Sequence, residues 1–460
     1  VTAGGGYHPG MTITSAPRSS AGHAGSVRIG LLGLGTVGGG VARLLLERGE
    51  AIAREVGRPI ELRRVVVRDL TKARDVSVPD GILTDDPANI LDDPEIDIVV
   101  EVMGGIHPTG DWLRQAIRAG KHVVTANKDL VATEGAELLR LAASHGVDIA
   151  YEASVGGGIP LIGVFRQDLA ANEVQSLHAI INGTTNYILT RMAQDGADYA
   201  PALAEAQALG YAESDPTNDV EAIDATYKLA ILASLAFRTH VPQPEIYREG
   251  ITRLRADDFR AAHDLGYVIK LVAMARRHHR GLGEPDAIEV RVHPTLLPRD
   301  VLLAGVNGVY NAVHVKGDLV GDVLLYGRGA GSAPTSSAVV ADIIDIALNL
   351  NAGIANRVPF KVAGDLPRLP IAEVETRYYV RLWVADQPGV LAQIAQAFGD
   401  HGISIASCIQ KETSGAPEGS AELVIVTHLA REAGMRAALD AFARMGAVRE
   451  VANVLRIEAP

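Results

Sequence analysis

The segment GYAESDPTNDVEAIDATYKLAILA, residues 210–233, sets Glu213, Asp215, Asp219, Glu221, Asp224 and Lys228 ahead of a run of small and apolar residues. Asp224 and Lys228 are four apart, so on a helix they share a face and can pair. An exposed pair of this kind contributes only about 0.3 kcal/mol and carries no function by itself. The flanking Ala225, Leu229, Ala230 and Ile231 instead predict a largely buried helix, where charges persist only with partners or a purpose. A second lysine, Lys128, follows the strand-like HVVTA and Asn127. It falls at the carboxyl end of a strand, where parallel-sheet enzymes place their ligands, and solvated surface is the alternative for it. Acids and lysines gathered this way suit a small molecule bearing both an ammonium and a carboxylate. Glu213 and Asp219 would take the ammonium, leaving Lys128 and Lys228 for the carboxylate and a polarised oxygen. A further polar cluster, NGTTNYIL at 182–189, precedes them and includes Thr184.

A glycine run supplies the other half of a reaction. IGLLGLGTVGGG, residues 29–40, closes an apolar strand, and Gly33, Gly35 and Gly38 fit the GxGxxG spacing, with Thr36 and Val37 between them. The first glycine permits the tight turn, the second lets backbone approach a pyrophosphate, and the third lets helix pack on strand. A bare structural turn is the weaker reading, because the run sits between a strand and the amphipathic VARLLLERG. The second strand ends VVVRD, placing Arg68 and Asp69 near an adenosine ribose, with Lys72 close behind. An acid there favours NAD, whereas arginine pairs with the 2′-phosphate of NADP; the balance leans to NADP, with NAD still open. MGGIHPTG, which contains Gly104, suits backbone pressed against the nicotinamide end, beside Thr125 and Asn127.

These groups need an α/β scaffold. Residues 1–26 are rich in Gly, Ser, Ala and Thr and read as a leader. From 27 to 150, short apolar strands alternate with helical patterns at 37–56, 110–119 and 132–145, which predicts a Rossmann-type parallel sheet. Residues 151–324 read as an α/β catalytic and dimerisation domain with a mixed sheet, helices at 185–194, 200–208 and 220–237, and extended stretches AIEVRVHPTLL and NAVHVKG. The glycine turn YGRGAGS, which includes Gly329, leads into a helix whose domain the sequence leaves open. After a Pro-containing linker at 351–374, residues 375–460 show the order βαββαβ of a ferredoxin-like unit, read here as a module able to fold separately.

The chain has 460 residues, enough for several domains. With 43 basic and 55 acidic residues and a formal charge of -12, it has no basic track for nucleic acid. A single cysteine, Cys408, points to a reducing, cytoplasmic setting, and no stretch of 18 uninterrupted apolar residues suggests a membrane span. YEASVGGGIP, residues 151–160, carries Glu152 and three glycines whose carbonyls suit a hard monovalent cation; a tight interdomain hinge explains it equally well.

Taken together, the segments GLGTVG, VVTANKDLVA, YEASVGGGIPLI, INGTTNYIL and GYAESDPTNDVEAIDATYKLAIL resemble the homoserine dehydrogenases over about residues 27–455. The resemblance implies reversible NAD(P)H-dependent reduction of L-aspartate 4-semialdehyde to L-homoserine. It implies that Lys228 is a principal catalytic residue, that Asp224 orients the reacting group, and that Lys128 is catalytic or positions substrate. Glu213 would bind substrate, with Asp219 and Thr184 nearby. A sodium or similar cation would sit at Glu152, Val155, Gly157 and Ile159, mostly on backbone oxygens. The turn Gly327–Pro334 would return to the cofactor domain, so that 325–350 completes it. DQPGVLAQIAQAFGDHGISI, at 386–405, resembles an ACT domain. Such modules pair with copies of themselves, which implies a homodimer or homotetramer and makes threonine the expected effector. The short leader leaves no room for an aspartate kinase domain, so the resemblance is to the monofunctional form.

Two other readings compete. A phosphorylating semialdehyde dehydrogenase needs a cysteine nucleophile, and Cys408 lies in the terminal unit, far along the chain from the lysines. A non-enzymatic sensor of nucleotide and amino acid would leave the paired lysines and acids without a purpose.

Overall fold

The protein is described by a computed structural model covering residues 25–281, 284–357, 364–411 and 419–459. Nearly all of the expected leader, part of the 351–374 linker and the Gly/Pro/Ser loop at 412–418 lie outside the described residues.

The first strands are β1 (Val27–Leu32), β2 (Ile60–Val66), β3 (Leu83–Thr84), β4 (Ile98–Glu101), β5 (His122–Thr125) and β6 (Ile149–Ala150). They form one parallel sheet in the order β3-β2-β1-β4-β5-β6. The order reverses between β1 and β4, which opens a crevice at the strands' carboxyl ends. Ile29, Leu31, Val99 and Val123 are fully buried, as expected for strands covered on both faces. The helix expected at 37–56 is two helices, Thr36–Glu47 and Gly49–Val56, because Arg48 leaves helical geometry between them. The helix expected from 132 begins at Lys128, since the Asn127 side chain accepts from Leu130 N at 3.2 Å and caps it.

The helix Ser332–Ala352 completes this domain. Ser332 Oγ and Ser336 Oγ donate to the carbonyls of Thr36 and Val37, each at 2.9 Å. Gly40 makes the approach possible, because a Cβ there would fall 2.2 Å from Ser336 Oγ. By length and composition the helix could cross a membrane. Its apolar residues Val339, Ile343, Ile346 and Ala347 instead join β1, Val41 and Leu45 in one core, which makes it a core helix.

The second sheet has 11 strands: β7 (Val174–Ile180), β8 (Tyr247–Arg248), β9 (Tyr267–His278), β10 (Ala287–Pro298), β11 (Tyr310–Gly317), β12 (Gly321–Arg328), β13 (Glu375–Ala385), β14 (Ile405–Lys411), β15 (Ser420–Thr427), β16 (Ala430–Arg431) and β17 (Val448–Ile457). Its main path runs β12-β11-β7-β9-β10-β17-β13-β15-β14 and is mixed, with β10 parallel to β8 and β17 and antiparallel to β9. Besides the two-residue β8 and β16, two of these strands escape the sequence reading. β9 is buried on both faces from Ile269 to Ala275, which erases alternation, and β12 is concealed by its neighbouring glycine turn. The helix expected at 220–237 is also divided, into Thr217–Val220 and Ile223–Phe237, with Ala222 between them at φ 61°.

The terminal unit has the expected βαββαβ order, with strands β17-β13-β15-β14, helices Val390–Asp400 and Glu432–Phe442, and its own core around Tyr378, Leu382, Phe398 and Phe442. It is not set apart as a separate module. β17 continues the catalytic sheet through Thr295↔Arg456 and Leu296↔Ile457. Fully buried Arg381 of β13 also donates to Asp258 Oδ1 of the catalytic domain at 2.8 Å.

Candidate active site

Asp224 lies in the first turn of Ile223–Phe237 and Lys228 one turn further on. Lys228 Nζ donates to Asp224 Oδ2 at 2.7 Å and to the carbonyl of Ile181 at 2.9 Å. An ammonium has three donors, so one N–H remains for a ligand. From the other domain, Lys128 Nζ stands 3.3 Å from Asp224 Oδ1, so one carboxylate serves two lysines across the crevice. Burial alone would raise the Asp224 pKa, but Lys228, Lys128 and the Asn182 amide outweigh it and hold the carboxyl below the usual range. Burial likewise works against the Lys128 charge, yet Asp224, Asp129 and Asp219 raise its pKa above the usual lysine value. Asp224 and Lys128 therefore stay ionised through neutral pH.

Asn182 joins the segments. Its Oδ1 accepts from Thr185 N at 2.8 Å, capping the helix Gly183–Asp195. Its Nδ2 donates to Asp219 Oδ1 at 2.6 Å and Asp224 Oδ2 at 2.9 Å. Thr184 Oγ1 donates to Tyr211 O at 2.7 Å, tying this helix to the loop that bears Glu213. The Glu213 side chain is exposed and makes no hydrogen bond or ion pair among the described residues. The structure therefore does not bring Glu213 into the lysine–aspartate cluster.

On the nucleotide side, Gly33 has φ 102°, and a Cβ at Gly38 would lie 2.1 Å from the Gly33 carbonyl oxygen, so only glycine allows that closeness of strand and helix. A Cβ at Gly35, which caps Thr36–Glu47 ahead of Thr36 and Val37, would meet nothing within 4 Å. The helix end thus faces open space with its amides free for an anion. Arg68 and Lys72 stand exposed beyond β2 with no ion pair among the described residues. Asp69 is committed to a local turn, accepting from Thr71 N at 2.8 Å and Thr71 Oγ1 at 2.6 Å.

Two expected residues serve other partners. Thr125 Oγ1 donates at 2.6 Å to the fully buried Glu101, whose other oxygen accepts from Met103 N and Gly104 N at 2.8 and 3.0 Å. The Thr125 hydroxyl therefore shapes the Gly104 turn from beneath, and the cofactor would meet the turn's backbone rather than this side chain. Asn127 Nδ2 donates to Gly105 O at 2.6 Å and fixes the same turn. The Glu152 carboxylate accepts from the amides of Leu161, Ile162 and Gly163 at 2.5, 2.8 and 2.8 Å, so it is satisfied by backbone and is not a free anionic ligand. Gly157, at φ 56°, presses on Gly329: a Cβ at Gly157 would sit 2.6 Å from the Gly329 carbonyl oxygen. The turn after β12 thus locks to the interdomain turn.

Family profiles described as homoserine dehydrogenase and as its NAD-binding domain match residues 160–344 and 33–152, and an ACT domain profile matches 378–455. A homoserine dehydrogenase of Synechocystis sp. is 46% identical over 445 residues, covering 94% of this chain and 99% of its own. The chain belongs to the homoserine dehydrogenase family. A crystal structure of a homoserine dehydrogenase from Thiobacillus denitrificans superimposes with a TM-score of 0.87 at 46% identity, covering 94% of this chain and 98% of that one. A hyperthermophilic archaeal homoserine dehydrogenase in complex with NADPH gives 0.59 at 28% identity, covering 70% of this chain and 98% of that one.

The protein is an oxidoreductase for the NAD(P)H-dependent interconversion of L-aspartate 4-semialdehyde and L-homoserine, built from a Rossmann domain, a mixed-sheet catalytic domain and an ACT domain. Sequence reasoning missed Asn182 and Glu101. Asn182 carries the only sequence signal of the two, an N-cap residue directly before a helix. A buried acid at a strand end, like Glu101, is invisible until its partners are placed.

Proposed function

We propose that Lys228 is the group that stabilises the oxygen of the reacting carbonyl, with Asp224 holding both lysines and Lys128 receiving the substrate carboxylate. The observation that carries this is the single carboxylate shared by Lys128 and Lys228 at 3.3 and 2.7 Å. It holds both ammonium groups at the crevice with one Lys228 N–H uncommitted, where negative charge develops on the semialdehyde oxygen as it is reduced. Bound NADPH supplies the hydride. Lys228 Nζ donates its remaining N–H to the forming alkoxide and delivers the proton, directly or through water. In the oxidative direction the same amine must first lose a proton, which favours alkaline conditions. Asp219 is proposed for the substrate ammonium; Glu213, expected to share that role, stands outside the cluster on the loop that Thr184 ties down.

NADP is the proposed cofactor. Free Arg68 and Lys72 beyond β2 suit a 2′-phosphate, whereas Asp69 is spent on its own turn and offers little to a ribose diol. The glycine turn Gly33–Gly38, the Gly104 turn, Asn127 and Gly329 would hold the rest. For a monovalent cation such as sodium, the carbonyls of Val155, Gly157 and Ile159 accept from no backbone amide among the described residues, which fits. Glu152 could add only its carbonyl, its carboxylate being occupied. We further propose a homodimer or homotetramer in the cytoplasm, with threonine as the effector of the ACT domain. Leu319, Val320 and Tyr326 are exposed along the β12 edge, an apolar border suited to a second copy.

The test is absorbance at 340 nm with L-aspartate 4-semialdehyde and NADPH or NADH. Semialdehyde-dependent loss with equimolar homoserine, faster with NADPH, is expected. Turnover with NADH alone would overturn the cofactor assignment, and none with either would overturn the residue roles.

A further inference from the structure

Of the acids buried among the described residues, all but one have a basic side chain beside them. Asp148 has His122 at 3.5 Å, Asp258 has Arg381 at 2.8 Å, Glu289 and Glu458 share Arg291, and Glu432 has Arg456 at 2.8 Å. Glu101 is 0% exposed and meets neutral donors only. Met103 N and Gly104 N give to its Oε1 at 2.8 and 3.0 Å. The Thr125 hydroxyl, which itself accepts from Asn127 N at 3.1 Å, gives to Oε2 at 2.6 Å, a length typical of a hydroxyl bonded to an ionised oxygen. A carboxamide could brace the turn through the same contacts. Bracing alone therefore does not call for an acid, and a buried charge without a counter-charge is costly.

The place of Glu101 in the sheet supplies the missing partner. It ends β4, in register with Leu32 of β1 on one side and Thr125 of β5 on the other. There the strand order reverses, which is where a dinucleotide crosses such a sheet. The pyrophosphate belongs to the glycine turn after β1 and the adenosine ribose to the end of β2, so the nicotinamide half falls over the ends of β4 and β5. The turn that Glu101 holds also backs onto the glycine turn: a Cβ at Gly33 would lie 2.9 Å from Met103 Cγ and 3.3 Å from Val102 O. Beyond Thr125, the same strand end leads through Asn127 to Lys128.

We propose that Glu101 is a positioning residue that fixes the turn beneath the nicotinamide ring and, through its buried negative charge, stabilises the positive charge the ring gains on hydride transfer. Hydride donation by bound NADPH leaves positive charge on the ring and negative charge on the carbonyl oxygen, which a proton from Lys228 neutralises. The chain thus carries a group for each pole: Lys228 at the oxygen and Glu101 beneath the ring. Each is held by its own hydrogen bonds, so neither has to reorient as charge moves. The same charge favours binding of the oxidised cofactor over the reduced one. The inference rests on the proposed placing of the nicotinamide at the Gly104 turn.

The test is the ratio of the Kd for oxidised cofactor to that for reduced cofactor, read by calorimetry on the full chain without substrate. It uses whichever of NADP and NAD wild type prefers, so the cofactor assignment does not affect it. Glu101→Gln keeps the contacts, since its carbonyl can accept from the two amides and its NH₂ can donate to Thr125 Oγ1. The ratio should rise about tenfold, the order expected when one unit charge acting on another through protein interior is removed. The kcat for semialdehyde reduction should fall by a similar factor, and that for homoserine oxidation by less, because there the charge also stabilises the ground state. An unchanged or lowered ratio, whatever the activity, would overturn the proposal. If Glu101→Gln does not fold, Thr125→Val gives the reading instead. It strips one donor from the carboxylate and leaves its charge, so the ratio should fall, and an unchanged or raised ratio would overturn the proposal. Gly104→Ala tests the placing of the nicotinamide separately, because a Cβ there projects into open space. Both cofactor forms should bind more weakly; normal binding of both would remove the turn from the cofactor site and the proposal with it.

Discussion

Two clusters of buried charge lie where the catalytic domain meets its neighbours, and they are built on opposite principles. At the ACT junction each arginine is held by two carboxylates. Arg456 makes a two-pronged contact to Glu432 at 2.9 and 2.8 Å and a third to Glu249 at 2.9 Å. Arg291 lies between Glu289 and Glu458, and Arg381 reaches Asp258 and Glu422 at 2.8 and 3.2 Å. In the crevice, two lysines share one aspartate, and Lys128 remains 32% exposed at its side chain. A buried network of arginines enclosed by carboxylates fixes how two domains meet, whereas a cluster at a crevice with a partly exposed lysine and an uncommitted Lys228 N–H has capacity left for a ligand. The comparison separates structural charge from chemical charge without reference to composition, since both clusters use the same residue types.

Substitutions should split along the same line. The largest effect is expected from Asp224→Asn, which removes the anchor of both lysines: kcat should fall about 10³-fold while the melting temperature moves little by comparison, as steady-state kinetics and calorimetry on one sample would show. A collapse of stability with normal turnover would place Asp224 with the structural cluster. Arg456→Met should behave inversely. Leaving Glu432 buried without this partner should cost about 3 kcal/mol of stability, read by chemical denaturation, with kcat at low temperature near wild type. Arg68→Ala should be milder, raising the KM for NADPH about tenfold and leaving that for NADH unchanged, a difference of about 1.4 kcal/mol. An equal rise for both cofactors would deny it a role at the 2′-phosphate.

The smallest effect concerns a third kind of buried charge. Lys270, near Val306 O at 2.6 Å and Asn307 Oδ1 at 2.9 Å, faces neutral acceptors only, and burial pushes its pKa down to about 8. Between that value and the ordinary 10.5 the unfolded chain binds more protons than the folded one, so stability should rise with pH across this window. Lys270→Met should flatten that rise in denaturation curves taken at several alkaline pH values.

Much of this was legible in the sequence because it rests on local spacing. Gly33, Gly35 and Gly38 mark the nucleotide turn, and the interval from Asp224 to Lys228 marks one helical turn. What the chain concealed depends on tertiary partners. No sequence signal places a left-handed residue at Ala222, since alanine has no preference for it, so one expected helix became two. β9 is covered on both faces and loses alternation. The joining of the ACT unit to the catalytic sheet rests on two residue pairs, Thr295↔Arg456 and Leu296↔Ile457, separated by more of the chain than any local pattern spans. Glu213 and Glu152 look alike as acids in distinctive motifs, yet one ends in solvent and the other under three backbone amides. Sequence locates such acids but does not show what they bond.

The most direct test of the account is a single-turnover measurement on Lys228→Ala loaded with NADPH and mixed rapidly with L-aspartate 4-semialdehyde. The account predicts NADPH binding like that of wild type and a decay at 340 nm about 10³-fold slower. Decay at the wild-type rate, or slow decay explained entirely by lost NADPH binding, would contradict it.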